Sequence, residues 1–201
     1  MEAKKGRREM KKFELTTEFI TNALGKKLFR IKALVEFGSV KAGELGGYAE
    51  KEENISQDGN AWVSDNAWVS DNALVFGDAK VSGNARVSGN ARVSDNARVS
   101  DNARVSGDAL ISGNARVSGD AWVSDNADYA LVQGFGTEFR CTTFYRGKNK
   151  KIMVNCGCFH GDLEGFRKQV KETRNGKIAK EYLMIADLME YHFTSEDSSN
   201  E

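Results

Sequence analysis

From Gly59 to Ala130 the chain divides, without insertion, into twelve units of six residues: GNAWVS, DNAWVS, DNALVF, GDAKVS, GNARVS, GNARVS, DNARVS, DNARVS, GDALIS, GNARVS, GDAWVS and DNADYA. This regularity constrains the fold more than any other feature. Ala holds the third place of every unit, and Val or Ile holds the fifth in all but the last. Apolar residues at alternate positions mark a strand, so Ala61 and Val63 face inward and Trp62 outward. Ser-Gly/Asp-Asn/Asp follows, and these residues tolerate the tight or left-handed backbone of a corner. One small and one branched residue per strand cannot form a core alone, so the units must stack. The expected fold is mainly β, a hexapeptide-repeat β-solenoid.

In Val63-Ser64-Asp65-Asn66-Ala67-Trp68 an aliphatic residue is followed four places later by a small one. This spacing resembles the hexapeptide repeat of left-handed β-helices, although Ser stands where that family favours Gly or an acid. The resemblance implies left-handed winding with three hexads in each triangular coil. Twelve hexads then make about four coils, a prism about 20 Å tall. Residues eighteen positions apart fall into outward columns. The first holds Trp62, Lys80, Arg98 and Arg116; the second Trp68, Arg86, Arg104 and Trp122; the third Leu74, Arg92, Leu110 and Asp128. Asn and Asp stack at the corners, where side-chain ladders add hydrogen bonds.

The ends of a solenoid are open strand edges and need covering. Residues 1–12 read as a leader or disordered segment. Codons for Lys-Gly-Arg-Arg can spell a ribosome-binding sequence, with Met10 as the natural start, or the segment is a basic tail. Residues 13–58 read as an N-terminal cap with a degenerate first coil. In it KKFELT and KKLFRIKAL are strands, GELGGYAEKEENIS forms turns, and Ala49 and Ile55 fall in phase with the Ala column. The solenoid occupies 59–130. An α+β C-terminal cap over 131–193 contains the strands LVQGF, EFRCTTFYRG and KKIMVNCGCF, with RGKNK as a hairpin turn. A helical hairpin follows: Asp162 caps a helix carrying Leu163, Phe166 and Val170, Asn175-Gly176 breaks it, and Ile178, Tyr182, Ile185 and Met189 mark a second. Residues 194–201 form an acidic tail. The β leader with KAGELGGYAEKEENIS, the hexads, and VNCGCFHGDLEGFRKQVKE followed by AKEYLMIADL together resemble small proteins encoded in bacteriophage and prophage genomes. That resemblance implies a host-directed role in a bacterial cytoplasm.

Lys and Arg total 29 against 29 Asp and Glu, which gives no global reason to expect nucleic acid as partner. Within 59–130 six basic residues face nine acids, a balance of −3 that also argues against a duplex-binding footprint. No apolar run is long enough to span a membrane. Hexapeptide-repeat acyltransferases, the alternative reading, generally use a His general base near the coils. The two histidines, His160 and His192, both lie outside the repeat. Cys141, Cys156, Cys158 and His160 could in principle compose a closed zinc site. Their C-x-C-x-H spacing reads better as small hydrophobes packed beneath helices, with Val154, Cys156 and Cys158 on one side of a strand. No cofactor and no metal are expected.

The repeat surface carries the remaining candidates: Trp62, Trp68, Arg86, Arg92, Arg98, Arg104, Arg116 and Trp122. Trp and Arg are the residue types enriched at binding hot spots. Two arginines on adjacent coils repel by on the order of 1–3 kcal/mol unless nearby acids or stacking on indole offsets it. The competing reading is a solvated face whose corner acids each satisfy an Arg and whose Trp residues close the array beneath a cap. The sequence favours a non-enzymatic binding or assembly protein. Its partner is a host protein, such as a defence protein it inhibits, or a second copy, since left-handed β-helix relatives often trimerise through flat faces.

Overall fold

The computed structural model describes residues 11–194. The proposed leader up to Met10 and the tail beyond Thr194 lie outside the described residues. An N-terminal hairpin, β1 (Phe13–Thr21) and β2 (Lys27–Ala33), leads to β3 (Leu45–Ala49). Strands β4 to β14 are two-residue pieces of the coils: Trp62–Val63, Trp68–Val69, Leu74–Val75, Lys80–Val81, Arg86–Val87, Arg92–Val93, Arg98–Val99, Arg104–Val105, Leu110–Ile111, Arg116–Val117 and Trp122–Val123. Four longer strands, β15 (Tyr129–Phe135), β16 (Arg140–Arg146), β17 (Ile152–Cys156) and β18 (Phe159–Asp162), precede α1 (Leu163–Thr173) and α2 (Gly176–Thr194).

The eighteen-residue step is the observed register: Trp62 pairs with Lys80, Lys80 with Arg98 and Arg98 with Arg116, all in parallel. The three faces are β4-β7-β10-β13, β5-β8-β11-β14 and β6-β9-β12. Every repeat Ala and Val/Ile from Ala61 to Val123 is buried. Burying each aliphatic residue contributes about 1.5–3 kcal/mol, and only stacking achieves it. Even-numbered N–H groups donate to odd-numbered carbonyls one coil later, as from Trp62 to Ala79 (3.0 Å) and from Ser64 to Val81 (2.9 Å).

The first place of each coil unit takes left-handed backbone, for example Asp65 at φ 58° and Gly83 at φ 67°. Asp and Gly are not interchangeable there. Asp65, Asp71, Asp95 and Asp101 are each followed one coil later by Gly. Each carboxylate accepts that glycine's N–H, at 2.9, 3.1, 2.9 and 3.0 Å. At the second place the side-chain amides form ladders. Asn66 donates to Asn84, Asn84 to Asn102 and Asn102 to Asp120; Asn72 donates to Asn90 and Asn90 to Asp108. Both ladders end on a carboxylate, which has no donor to pass on.

The coil edges differ in what they leave unpaired. The N-terminal edge presents odd-numbered groups: N–H groups, of which that of Asp71 donates to Glu50 Oε2 at 2.6 Å, and carbonyls. Backbone N–H groups of Tyr48, Glu50 and Ser56 cover the carbonyls of Ala67, Val69 and Val75. GELGGYAEKEENIS reads as turns, yet Leu45–Ala49 is a strand that pairs in parallel with β5. The hexad phase sets Ala49 and Ile55 over the Ala column. They stand instead over Val69 and Val75, a step of twenty residues. A 3-10 turn, Glu52–Asn54, lies in this longer coil, and its Asn54 amide donates to the carbonyls of Asp71 and Ala73. Lys12 closes the last gap: its Nζ reaches the carbonyls of Ala61 (3.0 Å), Gly59 (3.3 Å) and Asp58 (3.4 Å).

The C-terminal edge presents even-numbered groups of both kinds. Asn126 Oδ1, Thr143 Oγ1 and Asp128 Oδ2 accept from the N–H groups of Leu110, Arg116 and Ser124. Tyr145 Oη and Asn155 Nδ2 donate to the carbonyls of Ser118 and Arg116. The twelfth hexad therefore leaves the coil. Asn126–Asp128 is a 3-10 turn, and Asp128, expected outward on the third face, is buried against Arg146 at 2.8 Å. KKIMVNCGCF reads as one strand but stops at Cys156, turns through Gly157 (φ 61°) and returns as β18. Cys158 thus sits exposed in the turn rather than beside Cys156.

The β15–β18 sheet packs Tyr145, with the partly buried Tyr129, Leu131 and Met153, against the coil end. Its other face packs Phe144 and Val154 beneath α1 and α2. The helical hairpin forms as its sequence implies. Asp162 Oδ1 accepts from Gly165 N–H at 2.9 Å, and Leu163, Phe166, Val170, Tyr182, Ile185 and Met189 are buried.

Two outcomes follow from these contacts. Desolvation pushes the Lys12 amine down from 10.5 to about 8, with Lys80 adding repulsion and Asp58 and Asp78 opposing. Below about pH 8 the folded and unfolded chains both hold that proton, and the fold bears the full cost of burying the charge. Between about 8 and 10.5 the unfolded chain binds more protons, so this contribution to stability rises with pH. In urea unfolding, wild type should gain on the order of 2 kcal/mol relative to Lys12→Met between neutral pH and the alkaline side of that window. At a corner, a Cβ on Gly83 would lie 2.9 Å from the Asp101 amide nitrogen, whereas one on Gly43, also at positive φ, meets nothing within 4 Å. Gly83→Ala should therefore cost about 1–3 kcal/mol more than Gly43→Ala in the same assay.

Candidate functional site

The second face carries the candidate site. β3 joins it on the N-terminal side, so the pairing register extends the expected column to Arg30, Tyr48, Trp68, Arg86, Arg104 and Trp122. Cations and aromatics settle in pairs along it. The guanidinium carbon of Arg30 lies 5.0 Å from the Tyr48 ring centroid, that of Arg86 5.7 Å from Trp68, and that of Arg104 5.6 Å from Trp122. Arg86 and Arg104 thus lean on different tryptophans, in opposite directions along the column, which relieves their mutual repulsion. Arg86, Arg104 and Trp122 are exposed, and Trp68 is half-buried.

The corner acids do not satisfy these arginines. Among the described residues, no carboxylate forms an ion pair with Arg86, Arg92, Arg98, Arg104 or Arg116. The nearby carboxylates are engaged elsewhere: Asp101 accepts from Gly119 N–H, and Asp120 and Asp108 end the amide ladders. Five guanidinium groups are therefore presented to solvent with their donors open.

The structure does not gather all eight candidates. Trp62 is only 4% exposed. Its ring packs edge-on against Phe13 and Phe37, at 6.4 and 5.3 Å between centroids. It closes the array under the N-terminal cap and is not part of the exposed surface. Arg98 and Arg116 share the first face with Lys80, whose Nζ donates to the Asn60 carbonyl at 2.7 Å. Arg92 lies on the third face beside Leu74 and Leu110. Only Trp68, Arg86, Arg104 and Trp122 form one patch.

Two cations that the repeat cannot show join that patch. Lys148 comes from the turn between β16 and β17, and its backbone N–H donates to the Asp120 carbonyl at 2.9 Å. It lines a groove of about 230 Å³ with Arg86, Arg104, Trp122, Asn84 and Asn102. Beyond Trp122 the surface opens into a cleft of about 470 Å³ that includes Lys148, Lys150 and Phe193. RGKNK shows a basic turn in the sequence; what it lacks is any sign of which face the turn falls over.

The cysteines and histidines do not converge. Cys156 accepts a hydrogen bond from Thr142 Oγ1 at 3.1 Å and packs beneath the helices. Cys141 lines a cavity with Arg116 and the exposed Cys158, and burial pushes its thiol up, away from the thiolate form. His160 Nε2 hydrogen-bonds the Tyr145 hydroxyl at 3.2 Å, and His192 packs against the Phe193 ring. Among the described residues no three His, Cys, Asp or Glu side chains cluster as a metal site requires. No helix among them is long and apolar enough to cross a membrane.

The YdcK β-solenoid repeat model matches residues 79–95, 85–99, 91–107, 97–112 and 109–125. Each match is close to one coil long, and the starts fall on the six-residue phase. Together they cover the solenoid from its second coil to its last, so the similarity concerns the repeat rather than either cap. No curated protein matches the chain.

The three tryptophans should separate in acrylamide quenching. Trp122 is 44% exposed and Trp62 4%. Trp122→Phe should remove most of the quenchable fluorescence, and Trp62→Phe almost none while lowering stability by about 1–3 kcal/mol.

Proposed function

We propose that this chain is a non-enzymatic binding or assembly protein of phage type, whose rigid solenoid holds the second face ready for a partner. One observation carries the reading: Arg86 and Arg104, without carboxylate partners, lie between Trp68 and Trp122 on a single flat sheet. A stiff scaffold orders these side chains before binding, which lowers the entropic cost of association. Exposed Trp and Arg at the centre of a flat face are the residues that dominate interface energetics. The partner in this reading is a host protein in a bacterial cytoplasm, such as a defence protein that the chain blocks. Self-association through a flat face is a second mode. The coils wind left-handed, as in the hexapeptide-repeat proteins that the spacing resembles.

The test is capture from bacterial lysate on immobilised protein, with Arg86→Glu/Arg104→Glu beside the native chain. Both arginines are exposed, so the variant should keep the native circular dichroism spectrum. At least one protein identified by mass spectrometry should be retained by the native chain and lost by the variant. A correctly folded variant that keeps every interaction overturns the assignment of this face.

A further inference from the structure

We infer, building on the binding reading above, that the second face receives an acidic α-helix of a protein partner. Its carboxylates meet Arg86 and Arg104, and an apolar side chain meets Trp122. Charge complementarity is the first argument. The groove around Arg86, Arg104 and Lys148 sets three cationic heads against one carboxylate, that of Asp120, which accepts from the Asn102 amide, and among the described residues neither guanidinium forms an ion pair. A carboxylate is the planar acceptor that matches a guanidinium in two parallel hydrogen bonds.

Spacing is the second argument. Arg86, Arg104 and Trp122 stand on successive coils. At about 4.8 Å per coil, the row spans about 10 Å. Residues i, i+4 and i+7 of a helix lie on one side and span about 10.5 Å at 1.5 Å per residue. A strand laid along the same axis repeats its side chains every 6.6–6.8 Å or so and loses step by the third contact. The apolar end of the row is also prepared: beyond Trp122 the cleft continues to Phe193.

A nucleic acid fits this face less well. The groove has corner columns on its flanks, and these carry Asp101, Asp120 and Asp108. A phosphodiester chain brings a charge with every nucleotide and must lay some of them against those carboxylates. A helix places its acids only where the guanidinium groups are.

The experiment is fluorescence anisotropy at low salt with a labelled, alanine-based helical peptide carrying Glu at i and i+4 and Leu at i+7. A matched peptide with Gln at both Glu positions and a single-stranded oligonucleotide are run beside it. The Glu peptide should bind at least about ten-fold tighter than the Gln peptide and weaken as salt is raised. Arg86→Gln/Arg104→Gln should abolish that preference, whereas Arg92→Gln on the third face should leave it intact. Equal binding of the two peptides, no binding of the Glu peptide, or tighter binding of the oligonucleotide each overturns the acidic helix. If the Glu-substituted face loses its lysate partner while the Glu peptide fails to bind, the face is right and the helix is wrong.

Discussion

Everything in this molecule depends on the parallel hydrogen bonding that joins each coil to the next. Even-numbered residues point their N–H groups toward the C-terminal end, and odd-numbered carbonyls receive them. The stack therefore has polarity. Its first edge presents odd-numbered groups, which the cap meets with the Lys12 ammonium, the Asn54 amide and the backbone N–H groups of Tyr48, Glu50 and Ser56 as donors and with the Glu50 carboxylate as acceptor for the Asp71 N–H. Its last edge presents even-numbered groups, which the sheet beyond meets with Asn126, Thr143 and Asp128 as acceptors and Tyr145 and Asn155 as donors. The caps are thus not interchangeable lids. Each supplies the chemistry that one end lacks, because an unpaired buried backbone group costs as much as a lost hydrogen bond.

The interior of this arrangement is legible in six residues. Ala61 and Val63 alternate with Trp62, and every later coil repeats the statement, so core, strands and columns all follow from it. The caps are less legible, because their residues answer the coil's edges rather than a repeat. Ala49 and Ile55 keep the hexad phase in sequence yet stand over the Val column, since the corner between Ile55 and Val63 is two residues longer than the later ones. Asp128 keeps the phase too, but the open edge needs an acceptor for Ser124 and the chain leaves the coil to provide it.

The candidate site shows the same division. AWVS surrounds Trp62 and Trp122 alike, and both point away from the coil axis, yet one is buried and the other exposed. A hexad encodes direction and not what lies above it; Phe13 and Phe37, far away in sequence, decide the matter for Trp62. Proximity misleads for the arginines as well. An Asp stands within four residues of Arg92, Arg98, Arg104 and Arg116, but the corner geometry turns its carboxylate toward a glycine N–H or an asparagine amide one coil away. Lys148 reaches the face only because the terminal sheet docks in one orientation on the coil end.

The eighteen-residue register makes the length of the solenoid a matter of phase. Adding or removing one whole coil lengthens or shortens the prism and leaves the two ends in the same angular relation. Adding or removing a single hexad turns the C-terminal cap by about a third of a revolution relative to the N-terminal hairpin. Trp122 would then leave the column that begins at Tyr48, and the turn bearing Lys148 would pass over a different face. Change in chain length here acts as a gear with three positions, and only one of them lines up the aromatic and cationic row from end to end.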